Sequence, residues 1–187
     1  MPNDSLKDSS GTIKLDIGCG LNKKDGYIGI DKSPDVGADF LVDIECEPLP
    51  FSDSSVDEIY CAHLVEHIHN LIPFMNECYR VLKPGGRMEI LAPYYTAIQA
   101  TQDPTHVRFI SENSFNYFTD EYLQKKRTFN YGINCLFKIV SIDYTHINVW
   151  SKSWVPHQIR HWARRHLFNV AVDITTVLAA VKPMIEK

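Results

Sequence analysis

The fold is decided by residues 12–20, Thr-Ile-Lys-Leu-Asp-Ile-Gly-Cys-Gly, where a short apolar run ends on two closely spaced glycines. A run of this kind, bounded by a turn signal, is typical of a buried strand that leads into a tight turn. Four more short strands are predicted downstream, at 27–30, 40–42, 56–61 and 87–92. Strands separated by helices or turns predict an α/β domain with a mainly parallel sheet.

One helix is predicted with particular clarity, over residues 71–82. Its apolar residues Leu71, Met75, Cys78 and Leu82 share a helical face, and Lys83-Pro84-Gly85-Gly86 ends it. The later elements are less regular. We place them as a helical segment at 112–118, a strand at 137–143, a helix at 156–168 and a last strand at 174–181.

The bulk properties exclude several classes of protein. The 187 residues suffice for one full core, so we expect a lead-in over 1–11 and a single domain over 12–187. A net charge of -4 argues against a nucleic-acid binder, and no nucleic-acid partner is expected. The five cysteines include no C-x-x-C pair, and the apolar segment at 167–181 is interrupted by polar residues. We therefore expect a soluble cytoplasmic protein with no metal.

Glycines and acidic residues follow three predicted strands where a ligand would bind. Gly18 and Gly20 follow the first strand, Asp31 ends the second, and Asp43 with Ile44 follows the third. In open α/β sheets ligands bind at the carboxyl ends of the strands. Glycines let a ligand lie against the backbone, and a carboxylate can accept both hydroxyls of a ribose. The pattern therefore predicts a nucleoside site.

The cofactor is predicted to be a nucleoside without phosphates. A dinucleotide-binding motif requires a third glycine at the position of Lys23, and no helix N-terminus follows to hold a pyrophosphate. A nicotinamide dehydrogenase is therefore disfavoured. S-adenosylmethionine fits better, since its positive sulfonium suits the acid-rich segment Asp43, Glu45 and Glu47. The product would be S-adenosylhomocysteine.

Several motifs, in order and spacing, resemble the class I methyltransferases of the small-molecule type called methyltransferase type 11. They are Leu15-Asp16-Ile17-Gly18-Cys19-Gly20, residues 49–57, Val65-Glu66-His67-Ile68 and residues 79–87. The resemblance implies a Rossmann-like, seven-stranded, mainly parallel sheet with helices on both faces and an antiparallel last strand. It also implies a methyl transfer to a small-molecule acceptor.

The resemblance assigns roles to individual residues near the cofactor. Asp16, Gly18 and Gly20 would line its methionine part, Asp31 its ribose, and Asp43 and Ile44 its adenine. We also expect Cys19 and His63 to lie beside the cofactor and to belong to its binding site. The acceptor side would be built from residue 94 onward.

The chain departs from the family pattern in its first crossover. The third glycine of the motif is replaced by Asn22, and only eight residues, 21–28, separate Gly20 from Gly29. A parallel crossover usually needs a dozen residues or more. We therefore expect the first helix to be shortened to about a turn, leaving one side of the cofactor pocket open.

Two histidines are candidates for accepting a proton from the methyl acceptor. His67 follows the fourth strand and His106 follows the fifth, so both should face the methyl donor. His106 is favoured, with Arg108 or the pair Tyr94 and Tyr95 shaping the acceptor pocket.

Two alternatives remain for this part of the chain. His63-Leu64-Val65-Glu66-His67 matches H-x-x-E-H, a zinc-peptidase pattern that would place both histidines on a helix, with His69 or His106 as third ligand. A non-catalytic S-adenosylmethionine-binding module would match the shortened crossover.

All three tryptophans lie near a basic segment, residues 154–168. In one interpretation a helix packs its aromatic residues on the sheet and keeps its basic face in water. In the other, the helix contacts a membrane or an anionic lipid. The sequence does not indicate an oligomeric state.

Overall fold

The computed structural model of the chain describes residues 11–120 and 131–183. The lead-in predicted at 1–11 falls outside this range except for Gly11. The described residues form seven strands and three α-helices. The strands are β1 Lys14–Ile17, β2 Ile28–Asp31, β3 Phe40–Leu41, β4 Val56–Ala62, β5 Leu82–Pro93, β6 Phe137–His146 and β7 Ala171–Ala180, and the helices are α1 Leu71–Val81, α2 Gln99–Gln102 and α3 His157–His166.

The strands form one sheet in the order β3-β2-β1-β4-β5-β7-β6. Neighbours from β3 to β5 are parallel, whereas β7 runs antiparallel to both β5 and β6. The predicted Rossmann-like α/β sheet with an antiparallel last strand is confirmed. Its strand order reverses between β1 and β4, the switch point at which open α/β sheets bind ligands.

The central strands and α1 supply much of the core. Three of the four residues of β1 are buried, which is typical of a parallel strand covered on both faces. Helix α1 buries Phe74, Met75, Cys78 and Val81. Of the predicted apolar face, Met75 and Cys78 are buried in the helix, Leu71 is partly buried, and Leu82 is the first residue of β5. No helix in the described ranges is long and apolar enough to cross a bilayer.

The first crossover is even shorter than predicted. Residues 18–27, all described, form turns without a helix. Side chains hold this segment in place of helix packing. The Asp16 carboxylate accepts a hydrogen bond from Lys24 N at 2.7 Å, and Lys23 Nζ lies 2.9 Å from Asp39 Oδ2. The same Asp39 oxygen accepts from Gly29 N at 2.7 Å, which ties the crossover to β2.

The helix predicted at 112–118 was wrong in extent. Residues 112–115 form turns, and only Asn116–Phe118 makes a 3₁₀ turn. Local side chains compete for the backbone here: Ser111 N donates to Ser114 Oγ at 2.8 Å, and Asn113 N donates to Ser111 Oγ at 3.3 Å. Such bonds offer the backbone an alternative to helical pairing.

Candidate active site

A cavity of about 430 Å³ lies at the carboxyl ends of the first four strands. This volume is within the range of small-molecule sites. Its walls come from the ends of β1 to β4 and from two later loops: Ile17, Gly18, Ile30, Asp31, Lys32, Val42, Asp43, Ile44, Glu45, His63, Leu64, His67, Ile68, His69 and Thr105. The three strand ends singled out by sequence therefore meet at one cavity.

Gly18 forms the floor of the cavity where β1 ends. Its φ of +72° is a conformation that L side chains rarely adopt, and a Cβ at this position would lie 2.8 Å from Leu64 Cδ1. Its N–H donates to Ile30 O at 2.8 Å, which holds the turn against β2. The absence of a side chain thus lets the loop after β4 approach the end of β1.

Asp31 is oriented by two backbone groups. Its Oδ2 accepts from Gly20 N at 3.0 Å, and its Oδ1 accepts from Ser33 N at 2.9 Å. Each carboxylate oxygen has further lone pairs, so the group can still accept hydrogen bonds from a ligand in the cavity. Gly20 has a φ of +51°, and a Cβ there would meet nothing within 4 Å. Gly20 is therefore required by the turn rather than by close packing.

Asp16 lies beneath the glycine turn rather than in the cavity wall. Its side chain is 2% exposed, and its carboxylate is bonded to Lys24 N. Burial raises the pKa of Asp16, an effect that the hydrogen bond from Lys24 partly offsets. Cys19 is also buried, and burial raises the pKa of its thiol, which suits a packing role. Asp16, Cys19 and Gly20 support the turn, and their direct contact with a cofactor stays a prediction.

The loop after β3 has a role that sequence reasoning missed. Asp43 and Ile44 line the cavity, and Asp43 Oδ1 accepts from Glu45 N at 3.1 Å. Glu45, expected to balance a positive sulfonium, lines the cavity and also accepts from His69 N at 2.6 Å and Asn70 N at 3.2 Å at the start of α1. Burial raises the pKa of Glu45, but these bonds outweigh it and lower the pKa overall. A carboxylate at a helix N-terminus is stabilising.

The loop between β4 and α1 is not helical. Residues 63–70, all described, form turns and bends, and His63 has a φ of +52°. His63 Nδ1 lies 3.4 Å from Glu66 Oε1, without the alignment of a hydrogen bond, and this pairing raises the pKa of His63. The zinc-peptidase pattern therefore lacks the helix that would place His63 and His67 on one face.

The segment after β5 that contains residues 105–108, here called the strap, is hydrogen-bonded to this loop. Val107 N donates to Glu66 O at 2.8 Å, and the Arg108 guanidinium donates to the carbonyls of Ile68 and His69. Arg108 therefore holds the loop, and its part in an acceptor pocket stays a prediction. Tyr94 is 1% exposed and its hydroxyl donates to Glu112 Oε2 at 2.9 Å, whereas Tyr95 is 38% exposed.

The strap brings the two predicted catalytic histidines together. The rings of His67 and His106 meet edge to face with centroids 4.7 Å apart. His67 lines the cavity, whereas His106 is not among the residues that line it. One candidate ligand atom from each of Glu66, His67 and His106 lies within 4.8 Å of the others. These three residues could hold a metal ion.

A second hydrogen-bond network that sequence reasoning missed joins α1 to the loop before β4. Arg80 on α1 donates to Phe51 O at 2.9 Å and to Asp53 Oδ1 at 2.6 Å, and it pairs with Glu77 through two bonds of 2.8 Å. Glu77 Oε1 also accepts from Leu49 N at 2.6 Å. The motif at 79–87, through Arg80, is thus hydrogen-bonded to the motif at 49–57, through Phe51 and Asp53. This contact joins α1 to the loop before β4.

The aromatic residues of the basic segment face outward. Trp154 is 71% exposed, Trp162 54% and Phe168 79%. Helix α3 is instead anchored by Arg164, which is 6% exposed and stacks 3.8 Å from the ring centroid of Tyr144 on β6. The interpretation that the tryptophans pack on the sheet was therefore wrong for Trp154 and Trp162.

Comparison with known proteins finds a family match for one segment of the chain. Residues 15–90 match the family described as "Methyltransferase domain". The chain is 30% identical over 106 residues to a sterol 4-C-methyltransferase from Caenorhabditis elegans, covering 45% of this chain and 32% of that protein. It is 46% identical over 46 residues to a ubiquinone/menaquinone biosynthesis C-methyltransferase from Geotalea daltonii, covering 25% and 20%. The aligned part thus spans about a third or less of each relative.

Solved structures agree on the fold. A SAM dependent methyltransferase from Archaeoglobus fulgidus superposes with a TM-score of 0.61 at 17% identity, over 90% of this chain and 86% of that one. The segment that matches the family, residues 15–90, spans most of β1 to β5 and includes the glycine turn. It supplies most of the residues that line the cavity. Residues 15–90 thus match the methyltransferase domain family, and the described part of the chain has the Rossmann-like fold of the class I methyltransferases.

Proposed function

We propose that the chain transfers a methyl group from S-adenosylmethionine to a small-molecule acceptor by in-line displacement, releasing S-adenosylhomocysteine. The observation that carries this proposal is the meeting of Gly18, Asp31 and Asp43 at one cavity on the switch point of the sheet. The match of residues 15–90 to the methyltransferase domain family supports it as well. In methyl transfer the enzyme mainly holds donor and acceptor in line, and such positioning can supply up to roughly 7–11 kcal/mol of the barrier.

The cofactor would lie along the ends of β1 to β3. Asp31, held by Gly20 N and Ser33 N, would accept the ribose hydroxyls. Asp43 and the backbone of Ile44 would read the adenine edge, and Gly18 and His63 would flank the methionine part. Asp16 and Cys19 would act by supporting the glycine turn.

His67 and His106 are proposed to accept a proton from the acceptor. His106 Nδ1 lies 3.1 Å from Ala100 O, which can only accept, so this nitrogen carries the proton. His67 Nδ1 lies 3.0 Å from Thr105 Oγ1, whose own hydrogen is directed to Asp103 Oδ1 at 2.6 Å. Both rings therefore keep Nε2 as an acceptor, as a general base requires.

The names of two relatives support an acceptor class. One is a sterol methyltransferase and the other belongs to ubiquinone and menaquinone biosynthesis. We propose an apolar small molecule of comparable kind, bound by the side of the domain built from residue 94 onward. A cytoplasmic location stays a prediction.

An apolar acceptor agrees with the exposed aromatic surface of α3. Trp154, Trp162 and Arg165 are all exposed, a combination of aromatic and basic residues typical of helices that bind anionic membrane surfaces. Trp162→Ala should weaken sedimentation with anionic liposomes several-fold. Leu41→Ala removes exposed apolar surface at the opposite edge of the sheet and should leave it unchanged. Equal binding by both variants would exclude this contact.

A non-catalytic binding module is the second candidate, favoured by the turn-only crossover at 18–27. It would bind S-adenosylmethionine without turnover. Incubation with labelled S-adenosylmethionine and a panel of quinols, sterols and phenols distinguishes the two. Labelled product that disappears in the Asp31→Asn variant indicates an enzyme.

Calorimetric titration with S-adenosylhomocysteine tests the cofactor assignment. Replacing Asp31 with Asn should weaken binding by about 10- to 150-fold, because a hydrogen bond to a charged group is worth about 1.5–3 kcal/mol. Asp35→Asn is the matched control, since Asp35 lies four residues after Asp31, is exposed and does not line the cavity. Equal affinities for the two variants would place the nucleoside elsewhere.

A further inference from the structure

The cluster of Glu66, His67 and His106 holds chemistry that methyl transfer alone does not require. One ligand atom from each side chain lies within 4.8 Å of the other two. The three residues come from two separate segments, the loop after β4 and the strap after β5. Their proximity therefore depends on the bond from Val107 N to Glu66 O and on the Arg108 contacts.

Both imidazoles are oriented in the way that metal-binding histidines are. His106 donates Nδ1–H to Ala100 O, and His67 donates Nδ1–H to Thr105 Oγ1, which passes its own hydrogen to Asp103. Histidines that bind metals almost always donate their second ring nitrogen to a protein acceptor, which fixes the tautomer. Here this arrangement leaves the Nε2 lone pair of each ring available.

Glu66 supplies the independent observation. Its side chain is 2% exposed, and neither carboxylate oxygen has a hydrogen-bond partner among the described residues. The nearest cationic group is His63 Nδ1, 3.4 Å from Oε1 and poorly aligned. A buried carboxylate without partners is costly, and buried charges are normally paired or bound to metals. A second carboxylate, Asp103 Oδ2, lies 3.9 Å from His106 Nε2 and adds negative charge.

We propose that Glu66, His67 and His106 bind one divalent cation of the zinc class. Two imidazoles and a carboxylate suit Zn²⁺, Co²⁺ or Fe²⁺, whereas Mg²⁺ and Ca²⁺ prefer oxygen ligands alone. Three protein ligands leave a coordination position open, as in catalytic rather than structural sites. This ligand set differs from the peptidase pattern, because His106 replaces His63 and Glu66 is a ligand rather than a base.

The open position would serve the acceptor. His67 and Thr105 line the cavity, so the cation would lie at its wall. This inference rests on the proposed function. We infer that an oxygen atom of the acceptor binds to the cation, which lowers the pKa of the acceptor's hydroxyl group. With the cation bound, both Nε2 atoms are occupied, so the proton released from the hydroxyl group passes to water, and the cation instead of a histidine activates the acceptor.

Metal titration of chelator-treated protein, with Zn²⁺ in the presence of excess Mg²⁺ and with Co²⁺ as a spectroscopic probe, tests the site. One Zn²⁺ should bind per chain. Glu66→Gln, which preserves shape, and His106→Ala should each weaken binding by at least about 100-fold. Thr105→Val should cost about 10- to 100-fold, the usual effect of losing the group that orients a ligand, and Thr105→Ser should restore binding.

His166→Ala, on the exposed end of α3, is the matched control and should bind Zn²⁺ as the parent does. If Glu66→Gln and His106→Ala both keep the parent affinity, the cation is held elsewhere and the site is refuted. S-adenosylhomocysteine binding, measured on the same variants, confirms that they are folded. Cation binding without nucleoside binding would refute the proposed function and leave the site, and the reverse result would refute only the site.

Discussion

Replacing Gly18 with alanine should damage the protein through two separable effects. The first is conformational, since a φ of +72° costs an L residue about 1–2 kcal/mol. The second is steric, since the new Cβ would lie 2.8 Å from Leu64 Cδ1 and 3.1 Å from Cδ2. Overpacking of this kind costs about 1–3 kcal/mol. Gly18→Ala should therefore lower the free energy of unfolding by about 2–5 kcal/mol.

Gly20→Ala isolates the conformational effect. Gly20 has a φ of +51°, but a Cβ there would meet nothing within 4 Å. Its substitution should cost only about 1–2 kcal/mol. The difference between the two variants, measured by urea unfolding, estimates the steric effect of Leu64.

A double-mutant cycle with Leu64→Ala then identifies the source of the overlap. Gly18→Ala should be less costly by about 1–3 kcal/mol in the Leu64→Ala background. A coupling energy below about 0.5 kcal/mol, or equal costs for Gly18→Ala and Gly20→Ala, would refute the reasoning. The loop after β4 would then not depend on close approach to Gly18.

Three further predictions concern groups around the site. Burial raises the pKa of Glu77, but hydrogen bonds from Arg80 and the Leu49 N–H outweigh burial and lower the pKa below its usual 4.5. The stabilisation by the charged carboxylate is therefore present above pH 4.5 and is lost as the pH falls below it. In urea unfolding, Glu77→Gln should destabilise the chain at about pH 7 and much less at about pH 3. Burial and the positive charge of Arg164 lower the pKa of His146 from 6.5, so the unfolded chain binds more protons and stability should fall as pH drops below 6.5, an effect that His146→Gln should reduce. Tyr94→Phe should cost about 1–3 kcal/mol of unfolding free energy by thermal or urea unfolding, since it leaves Glu112 without its buried partner.

The cavity could be predicted from the sequence because parallel strands end at the same edge of a sheet. Gly18 follows β1, Asp31 is the last residue of β2 and Asp43 lies two residues after β3, so locating the strands also located these residues. The shortened crossover was predictable for the same reason, from the number of residues between Gly20 and Gly29. Local patterns were sufficient for both.

The contacts that complete the site were not predictable, because they join residues far apart in the chain. Glu45 bonds to the start of α1 24 residues later, and Arg108 reaches the carbonyl of Ile68 40 residues earlier. No local spacing indicates which of several carboxylates or guanidiniums makes such a bond. The sequence offered His106 only as one of two possible third ligands in the peptidase pattern, whereas the folded chain brings it together with Glu66 and His67.

The outward orientation of Trp162 had a similar cause. Periodicity predicts that a helix has two faces, but it does not say which face meets the sheet. Arg164 takes the inner position by stacking on Tyr144, and this turns Trp162 toward solvent. An arginine paired with an aromatic ring can be buried more readily than its charge alone suggests.

A crystal structure of the chain with S-adenosylhomocysteine tests the central claim most directly. The account predicts the nucleoside in the cavity at the ends of β1 to β3, with both ribose hydroxyls donating to the Asp31 carboxylate and the adenine beside Asp43 and Ile44. A nucleoside bound at any other surface, or a cavity filled by the chain itself at saturating ligand, would contradict it.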